Sequence, residues 1–381
     1  MQHQKQVAET RRLFDLMARG TTDFAPEIWR EPVSVYADPA HAAREHEVLF
    51  RGRPLAVAMS AELPRPGDFL TDDLGPAPLL LSRAANGQVK AFLNVCRHRG
   101  ARVAEGKGSN KRRFVCPYHA WTYDNEGRLV AIPEQEAFED LDCATHGLTP
   151  LPVAERHGII YVQFDPKATI DGDNMLGSLD AELAAYNFAG YHLHERRTMT
   201  VPINWKLVVD GFLEGYHLRS LHKKTVDPIF LSRHCTADVY GANVRMIIPR
   251  RSFPEMQGQP EQSWDLIRHT AIIYVLFPNT VIVVQGDHLE TWHCYPSGGK
   301  VDECTFHLGF YVPEPAQTPS AHEHWRRNMD LVLATVKDED IPTSRGIQTG
   351  ATSGAQTHVV FGRNEPALIG FHRALRDAMA A

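Results

Sequence analysis

Short apolar runs broken by turn formers fill the first half of the chain, and longer mixed stretches fill the second. After Pro32 the runs VLFRGRPLAVAM, PLLLSRA and VKAFLNV are separated by Gly, Pro and Asp, the punctuation of short antiparallel strands. A strand-rich domain is predicted over 36–166, after an N-terminal helical segment (1–35, helical from about residue 11) that packs on the second domain. The strand pattern ends around Phe164-Asp165-Pro166-Lys167, and DGDN supplies turn residues before a helical stretch, SLDAELAAY. The second domain, 167–381, then offers a strand (TMTVPIN), a helical segment containing VVDGFLEGYH, and alternating or β-branched runs at 270–284 and 304–312. Two late helices follow, near 321–338 and 365–379. The order predicts an α+β fold whose second domain is an antiparallel sheet covered by helices.

With 381 residues, 43% of them hydrophobic, the chain can bury a sizeable core as one or two globular domains. Its net charge of −6 comes from 46 acidic and 40 basic side chains, with no basic block to track phosphates, so nucleic acid is not an expected partner. No apolar run approaches the roughly 18 residues of a membrane span and the first residues lack a signal-peptide core, so no membrane association is expected and the cytoplasm is the expected location. Six cysteines in such a chain are no disulfide framework. In a reducing compartment they are thiols or metal ligands.

Two short loops carry the most specific chemistry. Cys96-Arg-His98-Arg-Gly and Cys116-Pro-Tyr-His119-Ala-Trp each present one thiolate and one imidazole, with 17 residues between the pairs. Two sulfurs and two nitrogens suit tetrahedral zinc as well as an iron–sulfur cluster. The mixed pairing differs from the common zinc finger, which keeps its Cys in one pair and its His in the other. It fits a [2Fe-2S] cluster in which two Cys hold one iron and two His the other, an arrangement with potentials of about −150 to +300 mV. A second constellation lies in NWKLVVDGFLEGYHLRSLH, where Glu214, His217 and His222 read E-x-x-H-x-x-x-x-H. Glu214 and His217 share a helix face, whereas His222 lies about 140° further round and needs a bend to meet His217. Two imidazoles plus one carboxylate leave coordination positions open for O2.

CRHRG and CPYHAW resemble the two cluster-binding loops of Rieske iron–sulfur proteins. Arg97, Arg99, Pro117 and Tyr118 stand where the disulfide-stabilised branch has an extra Cys per loop, so the likeness is to the oxygenase and ferredoxin branch. The Glu214–His222 segment resembles the iron-binding helix of Rieske oxygenase α-subunits. The resemblance implies an antiparallel-β Rieske [2Fe-2S] domain followed by a helix-grip catalytic domain. Cys96, His98, Cys116 and His119 would hold the cluster, and His217 and His222 would bind mononuclear Fe(II). The third iron ligand is expected at Asp340, with Gln348 eight residues on and Asp338 and Glu339 as rivals. Glu214 takes the place of the catalytic bridging carboxylate, through which His119 of one chain reaches His217 of the next in a head-to-tail homotrimer; Gly211 stands where many members have Asn. A β-subunit is also compatible.

By the same resemblance the protein is a terminal oxygenase that uses O2 as cosubstrate, by mono- or dioxygenation, on a small organic substrate. An aromatic substrate is expected first, with a quaternary-amine hydroxylase or N-demethylase as the alternative. A Rieske electron carrier without mononuclear iron is the alternative of a different class. No G-x-G-x-x-G follows a strand, so NAD(P)H would act only through a separate reductase or ferredoxin, which Arg97 and Arg99 could dock. Tyr274, Phe277, Val283 and Trp292 are the expected substrate-cavity walls.

Overall fold

A computed structural model describes residues 1–172 and 174–380, so Asp173 of the DGDN turn and Ala381 lie outside the described residues. The chain forms two compact units, one of Glu47–Met175 with Phe188–Gly190, the other of Met1–His46, Leu176–Asn187 and Tyr191–Ala381.

The first unit is built on antiparallel sheets joined by loops and short helical turns. Its five-stranded sheet runs, edge to edge, Pro150–Leu151, Val89–Leu93, Leu79–Arg83, Phe69–Asp72 and Lys107–Gly108, and two three-stranded sheets complete the unit. All five residues of Leu79–Arg83 are buried, which is why its three leucines follow one another rather than alternating with polar residues. Phe92, Phe114, Trp121, Tyr123 and Leu129 form a core around Cys96 and Cys116.

The second unit is built on seven antiparallel strands: β1 (His192–Val201), β2 (Thr236–Tyr240), β3 (Asn243–Pro249), β4 (Thr270–Leu276), β5 (Thr280–Val284), β6 (Leu289–Pro296) and β7 (Cys304–Val312). Their spatial order is β1-β7-β6-β5-β4-β3-β2, a meander from β2 to β7 with β1 added beside β7. The long β1–β2 connection therefore crosses the sheet, and it carries the histidine segment. Its helices include α1 (His3–Ala18), α2 (Trp205–Phe212), α3 (Leu218–Leu221), α4 (Pro319–Leu333), α5 (Ile341–Thr352) and α6 (Pro366–Ala380), with short ones at Ser34–Ala37, Pro39–Glu45 and Asp180–Ala184. Thus α1 begins eight residues earlier than residue 11, the start expected from the apolar spacing. Its Glu9 pairs at 2.6 Å with the buried Arg245 of β3, which also pairs with Glu182 (2.8 Å) and Asp238 (2.6 Å).

The late helix predicted to stop near residue 338 does not stop there. α4 passes through a π-helical turn, Ala334–Asp340, directly into α5. Pro342 lies just inside α5; it cannot donate to the turn before it, and its ring crowds the carbonyl four residues back. A widened π turn relieves that crowding without ending the helix, and such turns often sit at functional sites.

Tyr36 and Gln348 brace α2. Gln348 Oε1 accepts the Asn204 backbone N–H (2.8 Å), and its Nε2 donates to the Tyr36 carbonyl (2.9 Å). The Tyr36 hydroxyl donates to Asp210 (2.7 Å), whose other oxygen meets His372 Nε2 at 2.9 Å. Burial opposes charge on His372, but Asp210 and Glu31 outweigh it and raise its pKa to about 9. A histidine raised this way stabilises the fold fully below its unfolded pKa of about 6.5, and that stability is lost as pH rises through about 9. The contribution is about 3 kcal/mol at its limit. His372→Gln should therefore lower the urea midpoint most near pH 6, with the gap to wild type narrowing above pH 9. An unfolding series across that range checks this, and a gap independent of pH would refute the charged assignment.

Candidate metal centres

The two Cys/His loops fold alike. Cys96 N–H donates to the Ala101 carbonyl (2.8 Å) and Gly100 N–H back to Cys96 O (2.9 Å); Cys116 N–H donates to Trp121 O (2.9 Å) and Ala120 N–H back to Cys116 O (3.0 Å). The tight reversal needs a left-handed residue at the fifth position, and Gly100 (φ 81°) and Ala120 (φ 55°) supply it. That explains why CRHRG and CPYHA share a length.

The reversals turn all four side chains toward one place. Cys96 and Cys116 are buried free thiols, and the His98 and His119 rings lie 4.7 Å apart. The His98 ring stacks on Trp121 at 4.9 Å, and His98 Nδ1 is buried with no hydrogen-bond partner. Burial pushes the Cys116 thiol up, while the backbone N–H groups of Tyr118 and His119 favour its thiolate. The Tyr123 hydroxyl, whose pKa burial and Cys96 raise, sits 3.3 Å from Cys96 Sγ and accepts the Arg97 N–H (3.0 Å). Sulfurs met by N–H and O–H donors, with an orphaned imidazole nitrogen beside them, suit a [2Fe-2S] cluster. His119 and Tyr118 are exposed at the tip of the second loop.

In the other unit the EGYH segment is not one helix. α2 ends at Phe212, four residues of turn follow, and α3 is capped by His217 at its start and His222 at its end. Gly215 permits the break, since a Cβ there would come within 2.9 Å of Cys235 Sγ and 3.1 Å of Ser232 O. Glu214 shapes the turn by accepting the backbone N–H of Tyr216 (2.5 Å) and His217 (3.0 Å), and its other oxygen binds His217 Nδ1. The bend that the five-residue spacing of the histidines demands is thus present. It brings His217 Nε2 to 3.0 Å from His222 Nε2.

The π turn delivers the carboxylate. Asp340 Oδ1 lies 3.0 Å from His222 Nε2 and 3.7 Å from His217 Nε2, and the three ligand atoms fall within 4.8 Å of one another. Glu339 points elsewhere, accepting from His222 Nδ1 (2.6 Å) and from the Thr225 hydroxyl (2.6 Å), and Asp338 is exposed. Burial opposes charge on His222, yet Asp340 and Glu339 raise its pKa. Each imidazole thus has a carboxylate on Nδ1, which holds the proton there and frees Nε2 as a lone-pair donor. A two-His, one-carboxylate set with both rings oriented from behind suits a mononuclear Fe(II). Sequence reasoning weighed Glu339 only as a rival ligand, although two adjacent acids on a helix necessarily point different ways.

A cavity of about 180 Å³ opens beside this trio, with Phe212, Val226, Phe230, Ile273, Val283 and Leu331 among its apolar walls. Of the four walls expected from sequence, only Val283 lines it. On β4, Ala271 and Ile273 face the cavity, so Tyr274 faces the other side, where its hydroxyl donates to Glu182 (2.5 Å). Phe277 lies beyond the end of β4 and packs on Phe371, while Trp292 packs on Phe212 and Phe306. Arg250, Gln285, His288 and Glu290 form a polar stretch of the wall that sequence reasoning missed.

The family model for the ring hydroxylating alpha subunit (catalytic domain) matches residues 188–381, and that for the Rieske [2Fe-2S] domain matches residues 53–150. The glycine betaine monooxygenase oxygenase subunit of Chromohalobacter salexigens is 35% identical over 199 residues, 52% of this chain and 44% of that protein. The carnitine monooxygenase oxygenase subunit of Escherichia coli is 32% identical over 210 residues (55% and 56%), and the anthranilate 1,2-dioxygenase large subunit of Acinetobacter baylyi 29% over 232 (55% and 46%). The chain thus spans about half the length of these curated relatives. A crystal structure of a quaternary ammonium Rieske monooxygenase with L-carnitine superposes with a TM-score of 0.78 at 22% identity, covering 94% of this chain and 97% of that one. Naphthalene 1,2-dioxygenase from Rhodococcus bound to indole gives 0.74 at 20%, covering 98% and 97%. These structures share the fold, and no helix among the described residues is long and apolar enough to cross a membrane.

Proposed function

The chain belongs to the family of ring-hydroxylating α-subunits that carry a Rieske [2Fe-2S] domain, and from that membership we propose that it is the terminal oxygenase of a Rieske non-haem iron system. The observation that carries the reading is the convergence of His217, His222 and Asp340 at the mouth of an apolar cavity. A plain electron carrier needs neither. Cys96, Cys116, His98 and His119 hold the cluster, and the trio holds one iron. When bound, these centres supply electrons and an open coordination position for O2.

The chain's own residues do the rest. Glu214 and Glu339 keep the Nδ1 protons in place, so both Nε2 atoms face the metal position. The aliphatic wall keeps water from the space where substrate sits. Electrons come from a separate reductase or ferredoxin, which the exposed Arg97 and Arg99 are placed to dock. His119 and the turn holding Glu214 both reach the surface, with Tyr216 63% exposed, as a head-to-tail homotrimer that passes electrons between subunits requires.

For the substrate, relatives named for glycine betaine and carnitine support placing a small quaternary amine ahead of an arene. Glu214, a Glu at the bridging position, supports the same order. The test is substrate-dependent O2 uptake with a surrogate reductase across betaines, aromatic acids and arenes. Uptake tied to one class is expected, and a metal-loaded protein that consumes O2 with none of them would refute the reading.

A further inference from the structure

We infer that Arg250 is an anion anchor in the cavity wall, and that the substrate carries a carboxylate which its guanidinium binds. This rests on the oxygenase reading for the word substrate, but the site itself is argued from the wall.

Elsewhere the fold closes its buried arginines with acids. Arg245 is met by Glu182, Glu9 and Asp238, and Arg83 by both oxygens of Glu155. Arg250 differs. Among the described residues its Nε donates to the Thr270 carbonyl at 3.4 Å and one Nη2 hydrogen to Gln285 Oε1, which leaves both Nη1 donors and one on Nη2. The cavity carboxylate Glu290 does not pair with it. Gln285 stands between them, its Nε2 donating to Glu290 Oε1 at 3.4 Å, and Glu290 also faces Trp292 Nε1 (3.3 Å) and His288 Nε2 (3.5 Å). Glu290 is thus occupied by its own donors.

Phe230, itself a cavity wall, lies under the guanidinium with its ring centroid 5.2 Å from Arg250 Cζ. Burial lowers the Arg250 pKa, and the charges of Asp287 and Glu290 do not offset it. An arginine stays charged regardless, and a partly dry guanidinium without an acid is costly to keep. A carboxylate arriving with the ligand removes that cost, and the planar fork receives it through two parallel N–H···O bonds. The methyl-bearing or aromatic remainder of the ligand then fills the apolar part of the same small cavity, beside the metal trio.

Calorimetric titration of the metal-loaded enzyme, held anaerobic and without reductase, tests this with matched pairs: glycine betaine against choline, and benzoate against benzyl alcohol. The carboxylate of at least one pair should bind about tenfold tighter or better than its alcohol. Arg250→Gln should abolish that preference, and Arg250→Lys should keep part of it, with the cluster absorbance and iron content of both variants unchanged to show intact folding. Alcohols binding as tightly as acids, a preference that survives Arg250→Gln, or no detectable binding of either acid would each overturn the anchor. Adding reductase afterwards separates the two readings. Arg250-dependent binding without O2 uptake sinks the oxygenase and leaves the anchor standing, whereas uptake with choline or benzyl alcohol but not with the acids does the reverse.

Discussion

His217→Ala is expected to lower the iron content from about three per chain to about two while leaving the cluster's visible spectrum intact. Substrate-dependent O2 uptake should fall to background. His217 Nε2 faces His222 Nε2 and Asp340 Oδ1, and an alanine leaves two donors where three converge. The cluster donors lie on other loops in the other compact unit, so they keep their metal. Asp340→Ala should behave the same way. Asp338→Ala should not, because that side chain is exposed and off the trio. Iron and acid-labile sulfide analysis of anaerobically purified protein reads all three. Full iron in His217→Ala, or iron loss in Asp338→Ala, would reassign the ligand set.

Glu214→Ala separates metal binding from electron delivery. Its carboxylate binds His217 Nδ1 and two backbone N–H groups of the turn, and it contributes no atom to the trio. At saturating iron both centres should load. Oxidation of the reduced cluster by O2 and substrate, followed by stopped-flow absorbance, should slow by about 100-fold or more, the upper reach of losses at groups that orient a ligand. Glu214→Asp should recover part of the rate, since it restores the acceptor one methylene shorter. Sedimentation of the variant should match the wild-type oligomer. Native-rate cluster oxidation in Glu214→Ala would show that the carboxylate is no bridge, whatever its hydrogen bonds.

Much of the chemistry was legible because it is local. A Cys and a His two or three residues apart on a five-residue reversal must come together, so the side-chain pairing within CRHRG and CPYHAW was legible directly. Glu214, His217 and His222 were legible for the same reason, although the helix expected around them is a turn held open by Gly215 and capped by Glu214 itself. Helix limits were less so. The first late helix was expected over about 321–338, and only the packed α4–α5 rod shows that it runs on through a π turn that absorbs Pro342.

The cavity wall was the least legible part. Tyr274 and Ile273 are neighbours in sequence and equally buried, yet one serves the Arg245–Glu182 hub and the other the cavity, because successive strand residues point to opposite faces. Which face is which depends on what the sheet packs against. The sequence by itself determined the α+β class and the short segments that place Cys96 near His98, Cys116 near His119 and His217 near His222, since each follows from short-range spacing. Only the tertiary structure decided that Asp340 rather than Asp338 or Glu339 joins those histidines, that Glu339 stands behind His222, and that Arg250 is left without an acid. Those are relations between segments far apart in the chain, set by how a helix and a sheet close on one another, and short-range spacing carries no record of them.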